Sequence, residues 1–562
     1  MDVSAFLEVR PAPTVLFQAA EARADKVRYH IPVAGGGWQP LTWREHAQRV
    51  RAIAAWLLDF GLQPGERCAI FAPNRVEWME AALGIQAAGG VMVPVYASNT
   101  ADQLAYVLGH SDARVVFVDT PALLERTRTA LQNHAADLAQ LAKVVVLDLA
   151  QPPTGDDDFS RHCLSWGEAS QHGAALDLAH PQTVTAVTAG LDLHAPGIML
   201  YTSGTSGNPK GVPLSHYNVG VNGRDWLQCN GPLVEEGDVD LLWLPMSHIF
   251  GYGEACLGNT LGFETWLTDP MSVMGLLPVV RPHVFMSVPS VWEKFANTAS
   301  KADDRDAKLR EVTGGRMRFC LSGGAGLKRE VKETFLRAGM LIIEGYGLTE
   351  SSPTLTLNRP DAFRFDSVGK PLPSVELKLA EDGEIMARGP NVFKGYHKDP
   401  EGTANVLTAD GWLLTGDVGR WTEDGFLQII DRKKDILVTA GGKNVAPANI
   451  ELQFADEPLI AQAVVYGDAK RYLVAGLWPN QLMADHLLAH LPPEERKAEI
   501  ARRIAAKVEA VNATVAHHET VKTFKIFDEP LTVENGLLTP TLKIRRKKIY
   551  ERFGGEFEAL YQ

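Results

Sequence analysis

Cysteine is scarce in this chain: the five present, Cys68, Cys163, Cys229, Cys256 and Cys320, lie far apart and make no Cys-x-x-Cys pair. That spacing provides neither a disulfide framework nor a zinc site, and it suits a reducing compartment. A basic excess is missing too. The 55 Lys and Arg against 68 Asp and Glu leave a net charge of -13, which argues against a broad nucleic-acid surface but not against a local cationic cluster. No apolar run approaches the ~20 residues that cross a bilayer. The opening MDVSAFLEVRPAPTVLF lacks the basic-then-apolar order of a secretory signal. These absences lead to the expectation of a cytoplasmic protein.

The 562 residues exceed one ordinary hydrophobic core, so at least two domains are expected. Apolar spacing predicts helices over Val50–Leu58 and Val76–Ala88, and strands at Cys68–Phe71, Val91–Val95, Arg114–Val118 and Val144–Leu147. Such alternation implies parallel β-α-β units and an α/β fold. The polar stretch from Gln151 to about Ala195 reads as a surface connection. Beyond it, Val375–Leu379, Gly383–Arg388 and Gly425–Ile430 read as short strands between Gly-rich turns, an all-β portion. After Lys434, strands at Ala463–Tyr466 and Leu473–Leu477 alternate with a charged helix around Pro493–Asn512, a small α+β unit.

Chemistry concentrates first in Tyr201–Val212, YTSGTSGNPKGV. Backbone N–H groups and hydroxyls of Thr202, Ser203, Gly204, Thr205, Ser206 and Gly207 can approach phosphate oxygens closely, and Lys210 adds charge to the same anion site. Pro209-Lys210-Gly211 breaks the Walker A pattern, and Asn208 does not rescue a Gly-x-Ser-x-Gly elbow. A second element, EGYGLTES (Glu344–Ser351), has no dinucleotide-binding spacing. It offers Tyr346 as a stacking surface, Thr349 as a hydroxyl and Glu350 as a hard oxygen ligand suited to Mg²⁺. Weaker signals are the Thr415-Gly416-Asp417 turn, the Asp431–Asp435 charge run and LTPTLK at Leu538–Lys543.

Their order along the chain resembles the adenylate-forming superfamily of acyl-CoA synthetases, peptide-synthetase adenylation domains and luciferases. Within it the similarity is greatest to bacterial long-chain fatty acid–CoA ligases. Further segments that carry the resemblance are LPMSHIFG (Leu244–Gly251), LSGGAGL (Leu321–Leu327), Gly383–Thr403, DGWLLTGDVG (Asp410–Gly419) and Asp431–Glu451. It runs from about Leu16 to Ile549. Two departures stand out: Ser206 where the family commonly has Thr, and Gly-Gly-Ala-Gly where Gly-Gly-Ala-Pro is usual.

The resemblance implies a large N-terminal domain, residues 1–432, of helix-covered β-sheets with a small β-barrel-like portion. A small mobile α+β domain, residues 433–562, follows. It implies ATP, Mg²⁺ and coenzyme A as cofactors and a fatty acid as substrate. Thr202–Lys210 would hold the β- and γ-phosphates, with Thr349 and Glu350 at the α-phosphate and Thr205 and Glu350 at Mg²⁺. Gly323, Gly324, Ala325, Gly345, Tyr346 and Gly347 would form the adenine slot, and Asp417 with Arg432 the ribose site. Lys543 would be the adenylation lysine, Lys434 the hinge, and Gly441, Gly442 and Lys443 the pantetheine tunnel. His248 resembles a gating histidine near the acyl carboxylate. The acyl walls are expected to include Trp243, Tyr252, Gly253 and Gly323–Gly326. Open alternatives are an acyl-AMP ligase or acyl–carrier-protein synthetase, and a CoA ligase for medium-chain or aryl acids. Oligomeric state and peripheral membrane contact stay open as well.

Overall fold

The computed structural model of the chain describes residues 1–148, 153, 155, 157–202, 208–539 and 543–562. Among the described residues, the alternation of strand and helix builds two large sheets. The first has seven strands, in the order Cys163–Ser165, Lys143–Val146, Ala113–Val118, Arg67–Phe71, Val91–Val95, Pro196–Thr202 and Lys210–Ser215. All neighbours are parallel except the last pair, a hairpin that places Thr202 opposite Lys210. The second has nine strands and a parallel centre that includes Val284–Ser287, Phe319–Ser322 and Ile342–Gly347. Its antiparallel ends are made by Trp38–Thr42 on one side and Thr354–Leu357 with Lys370–Pro371 on the other.

Strands buried on both faces explain the unbroken Val, Ile and Phe runs of the sequence. One face of the seven-stranded sheet packs Ala69, Val93 and Val116 under Leu104 and Leu108. The opposite face joins the nine-stranded sheet in one large core that includes Trp43, Trp78 and Trp292, each fully buried. The all-β portion is a four-stranded antiparallel sheet, Glu376–Leu379, Glu384–Arg388, Leu413–Trp421 and Leu427–Arg432.

The region after Gln151 corrects the expectation of a plain surface connection. Residues 149–152, 154 and 156 lie outside the described residues, but Trp166–Ala179 and Gln182–Ala189 are helices. A capping box between Ser165 and Glu168 starts the first of these helices. It packs against Trp43–Asp59 so closely that a Cβ on Gly173 would lie 1.9 Å from the Ala52 carbonyl oxygen. Arg51 then holds Asp177 through two hydrogen bonds of 2.9 and 2.7 Å. Small residues, not an apolar stripe, make this contact, so hydrophobic periodicity gave no sign of it.

Past Arg432 the apolar organisation changes. The large core ends at Leu413, and two small clusters begin at Leu437 and Val464. They sit on opposite faces of a three-stranded sheet, Ile460–Tyr466, Leu473–Pro479 and Val521–Ile526. Side-chain alternation decides membership: Val465, Ala475 and Leu477 face the helix Pro493–Asn512, while Val464, Val474 and Trp478 face Arg546–Ala559.

Candidate functional site

Antiparallel pairing of Leu413–Trp421 with Leu427–Arg432 sets Asp417 directly opposite Arg432. Gly416, at φ +71°, supplies the left-handed turn that swings Asp417 inward. Arg432 Nε lies 2.9 Å from Asp417 Oδ1, and the Tyr346 hydroxyl donates to Oδ2 at 2.6 Å. Burial pushes the Asp417 carboxyl above its ordinary pKa, while Arg432 and the Tyr346 hydrogen bond oppose the rise. The result is a carboxylate with both oxygens oriented, beside a ring flat enough to take a base. Tyr346 sits at the end of Ile342–Gly347, and Gly347 is obligatory there: a Cβ would fall 1.8 Å from the Pro353 carbonyl oxygen. Gly345 is similarly confined, its Cβ position 2.8 Å from Leu357. Gly323, Gly324 and Ala325 follow the neighbouring strand Phe319–Ser322, with Gly324 at φ +84°.

On the phosphate side, Thr202 and Lys210 face each other across the hairpin, while Ser203, Gly204, Thr205, Ser206 and Gly207 lie outside the described residues. Lys210 Nζ is 3.0 Å from Asp399 Oδ2 and 4.5 Å above the centre of the Tyr396 ring. The Tyr396 hydroxyl in turn donates to Glu350 Oε1 at 2.8 Å. Glu350 is buried in the short turn Thr349–Ser351. Sequence reasoning assigned no role to Tyr396 or Asp399, although both fall inside the Gly383–Thr403 segment; only their spatial approach to Lys210 reveals one. Asp399 accepts from the Gly402 N–H and from Lys210, and these hydrogen bonds hold its pKa below the ordinary carboxylate value.

His248 caps the helix Ile249–Leu261, its Nδ1 accepting from the Phe250 N–H at 3.1 Å. Burial, reinforced by the charge of Lys543, pushes this imidazole down to about 4. The ring is therefore neutral, with its proton on Nε2. Lys543 arrives from the C-terminal portion, in a loop closed by the Thr539 N–H on the Lys543 carbonyl at 2.8 Å. Pro540, Thr541 and Leu542 lie outside the described residues. The Lys543 side chain is reached by solvent, yet protein surrounds the cleft it enters. Burial there and Arg432 lower its pKa, and Asp417 opposes them. The charge of one cation thus acts both on the Asp417–Arg432 pair and on His248 at the capped helix N-terminus, where partial positive charge also favours an anion.

From that N-terminus a cavity of 310 Å³ runs along the helix. Its walls near the cleft are Phe250, Met286, Leu321 and Pro353, and Gly253, Leu257 and Thr260 follow along the helix. The span from Ile249 to Thr260 covers about 16 Å. Tyr252 and Gly253 line the cavity as expected, and the Tyr252 hydroxyl is held by Gln86 Oε1 at 3.2 Å. Trp243 and Gly323–Gly326 do not line it: the Trp243 indole is buried and donates to the Met286 carbonyl at 3.1 Å, and the glycine loop stays at the strand ends.

Lys434 occupies an exposed turn between Leu427–Arg432 and Leu437–Val438; burial of its ammonium end and Arg432 lower its pKa. Lys433 anchors that turn to Asp382 and Glu384 at 2.6 and 2.8 Å. Gly441, Gly442 and Lys443 form a solvent-exposed hairpin turn, with Gly442 at φ +71° and the Lys443 N–H on Thr439 Oγ1. They are not among the residues brought together around Asp417. Across the seam, Asp456 pairs with Lys328 at 3.1 Å, and within its own portion with Lys507 at 2.7 Å.

The donor set can be tested for Mg²⁺. Among the described residues no cluster of three or more His, Cys, Asp or Glu could cage a metal. A single buried carboxylate with one oxygen left after the Tyr396 bond fits an ion that takes most ligands from phosphate and water.

Two family profiles match: AMP-binding enzyme over residues 16–397, and AMP-binding enzyme C-terminal domain over residues 434–562. The long-chain-fatty-acid–CoA ligase FadD15 of Mycobacterium bovis is 34% identical, over 94% of this chain and 93% of its own length. Long-chain-fatty-acid–CoA ligase 5 of Rattus norvegicus is 30% identical over 93% of this chain and 85% of that protein. Among solved structures, the anthranilate CoA ligase AuaEII in complex with anthranoyl-AMP superposes with a TM-score of 0.77 at 21% identity, covering 100% of both chains. The adenylation domain of a carboxylic acid reductase from Segniliparus rugosus, in complex with AMP and a co-purified carboxylic acid, gives 0.77 at 21%, covering 98% and 94%. With a profile matched over most of its length and a relative at 34% identity across 94% of it, the chain belongs to the AMP-binding enzyme family.

Proposed function

We propose that this protein is an ATP- and Mg²⁺-dependent fatty acid–CoA ligase acting on long chains. It would form an acyl-adenylate with release of pyrophosphate and then transfer the acyl group to coenzyme A. The observation that carries the reading is one meeting point: Lys543, the Asp417–Tyr346–Arg432 group and the capped helix N-terminus converge where an apolar cavity opens. A carboxylate attacking an α-phosphoryl group brings two anions together. Cations and N–H donors fixed in advance stabilise that charge without reorganising. Asp417 and Arg432 would take the ribose, Tyr346 with Gly323–Ala325, Gly345 and Gly347 the base, and Lys210 with the Thr202–Gly207 loop the β- and γ-phosphates. Thr349 would contact the α-phosphate. Mg²⁺, held by Glu350 and Thr205, would neutralise phosphate charge. Lys543 would reach the acyl carboxylate and the α-phosphate together. His248, neutral and committed to its helix cap, would position the helix end and transfer no proton.

The length of the cavity supports "long-chain". About 16 Å of helix accommodates roughly a dozen methylenes, because tetrahedral angles reduce the ~1.5 Å C–C bond to about 1.25 Å of advance along an extended chain, and the relatives above are named for long-chain fatty acids. For the second half-reaction we place the division at residues 1–432 and 433–562, with Lys434 as hinge. Rotation there would withdraw Lys543 and bring Gly441, Gly442 and Lys443 to the cleft as the pantetheine channel. The apolar cores ending at Leu413 and restarting at Leu437 support this division.

Thioester formation across acids from acetate to oleate, with aryl acids alongside, tests the whole reading. Long straight-chain acids should give the highest kcat/KM, and confinement to aryl or short acids would reject it. Pyrophosphate exchange without CoA thioester, but with transfer to a phosphopantetheinyl protein, would select the carrier-protein alternative. No described helix is long and apolar enough to cross a membrane. Met271, 93% exposed just ahead of the apolar helix Val273–Val280, and Val279, 67% exposed within it, support peripheral contact with a lipid surface. Co-sedimentation with vesicles should fall on Met271→Asp or Val279→Asp.

A further inference from the structure

The helix Arg329–Arg337 buries Val331 and Phe335, and with them it buries Lys332. A lysine is almost never fully covered unless it is paired, and this one is 3% exposed. Its Nζ lies 2.6 Å from Oε2 of Glu344, which is 4% exposed. The other carboxylate oxygen, Oε1, accepts the Leu327 N–H at 2.9 Å. Burial pushes the Glu344 carboxyl above its ordinary pKa, while Lys332 and the Leu327 N–H oppose the rise. Lys332 lies in none of the signature segments, and Glu344 only opens one of them.

Glu344 joins the two walls of the adenine slot. Ahead of Leu327 runs Gly323-Gly324-Ala325-Gly326, three glycines in four residues, with little stiffness of its own. Gly324, Ala325 and Gly326 are exposed, and a Cβ on Gly324 or Gly326 would meet nothing within 4 Å. The loop is therefore placed by its ends. The Gly323 N–H donates to the Ser287 carbonyl at 3.1 Å, and the Leu327 N–H donates to Glu344. The other wall is Tyr346, two residues beyond Glu344 on the strand Ile342–Gly347 and so on the same face of it. That strand is tied to its neighbour by the Asn358 N–H, which donates to the Glu344 carbonyl at 2.9 Å. One carboxylate thus sets a pliable loop against a fixed ring.

A buried ion pair is a poor source of stability, since apolar side chains of similar volume often do as well or better. Apolar side chains could not, however, accept the Leu327 N–H. We propose that Lys332 and Glu344 are positioning residues for adenine recognition: the carboxylate fixes the spacing between the Gly323–Leu327 loop and the Tyr346 ring, and Lys332 holds the carboxylate. This rests on the assignment of Tyr346 and Gly323–Ala325 to the base. Neither residue needs to touch the nucleotide, so their loss should loosen the choice of base without reaching the acyl site.

The test compares two double variants with the wild type. Lys332→Met with Glu344→Leu replaces the pair by apolar side chains and removes the acceptor. Lys332→Met with Glu344→Gln removes both charges but leaves an oxygen for the Leu327 N–H. The readouts are the ratio of kcat/KM for ATP over GTP in pyrophosphate exchange, the KM for ATP and for the fatty acid, and the Kd of AMP by calorimetry. Losing a hydrogen bond to a charged group costs about tenfold or more. The Met/Leu variant should therefore raise the KM for ATP and the Kd of AMP about tenfold and lower the ATP-to-GTP ratio by a similar factor. Its KM for the fatty acid should stay at the wild-type value. The Met/Gln variant should recover most of that loss. Because the ratio is internal to each variant, a smaller folded fraction leaves it unchanged. A Met/Leu variant with the wild-type ratio and AMP affinity would overturn the proposal, and so would equal losses in both variants. In either case the adenine slot itself stands. If the wild type binds no AMP and shows no preference for ATP over GTP, the slot assignment and the proposal fall together.

Discussion

The two portions of this molecule are held together in different ways. Up to Leu413, two sheets and their helices share one core, in which Trp43, Trp78 and Trp292 are buried. After Leu437, two thin clusters clothe a single three-stranded sheet, and the seam between the portions carries ion pairs such as Lys328–Asp456. Interdigitated apolar side chains fix one arrangement, because any shift opens voids. Charged contacts at a solvated seam can be exchanged for water at little cost. The contrast sets up a test of where motion can occur: the portion that carries Lys543 has apolar clusters of its own and meets the rest through charged contacts, whereas the portion before it shares one core.

The largest expected effect tests that independence. Trp478 is 2% exposed, stacks on Phe527 at 4.6 Å and donates its indole N–H to the Glu529 carbonyl at 2.9 Å. Trp478→Ala should cost about 3–5 kcal/mol, all of it in the C-terminal portion. Calorimetry should then show an early transition split from an unmoved main one. A single transition moving as a whole would mean that the two portions unfold together.

Next in size comes Lys543→Ala. Losing a preorganised cation at a developing charge costs roughly 10²–10³-fold in rate, so pyrophosphate exchange should fall by that factor. Melting should barely change, since the side chain is solvent-accessible and its removal leaves the small cores intact. Retained exchange would refute the assignment of the adenylation role to this residue.

A smaller effect is expected at the seam. Asp456 is kept ionised by hydrogen bonds from Lys507 and Lys328, which outweigh the upward push of burial. Removing one partly exposed bridge changes an equilibrium by ~0.2–1 kcal/mol. Asp456→Ala should therefore lower pyrophosphate exchange by about 1.4- to fivefold. Transfer to CoA from supplied acyl-adenylate should be unchanged or faster. Equal losses in both half-reactions would show that the bridge does not bias the docked orientation.

Much of this architecture was legible in the residues because its signals are local. Strand runs such as Val91–Val95 are wholly apolar, the helix Pro493–Asn512 repeats at helical spacing, and Gly416-Asp417 writes its own turn. What stayed hidden depends on contacts between distant segments. The helix Trp166–Ala179 docks through the absence of a side chain at Gly173. Tyr396 and Asp399 matter because they meet Lys210, nearly two hundred positions earlier in the chain. Trp243 shows the reverse error: an aromatic beside a signature was expected on the acyl wall, and its indole N–H instead satisfies a carbonyl inside the sheet.

The smallest effect concerns His248, and it separates a scaffold histidine from a reacting one. Its folded-state pKa of about 4 lies below the ordinary 6.5, so the unfolded chain binds more protons between those values. The stability it contributes is complete above about pH 6.5 and is lost as pH falls toward 4. His216, likewise buried and pushed down to about 4, adds to the same acid-side loss. Asparagine is a strong helix N-cap with no proton to gain in this range. His248→Asn should therefore keep the cap and flatten part of the acid-side loss of stability. Pyrophosphate exchange should stay within a few-fold of wild type at neutral pH. His248→Ala removes the cap and should cost about 1 kcal/mol, with a correspondingly modest fall in melting temperature. A drop in exchange approaching that of Lys543→Ala, in the asparagine variant at unchanged melting temperature, would place the imidazole in the chemistry itself.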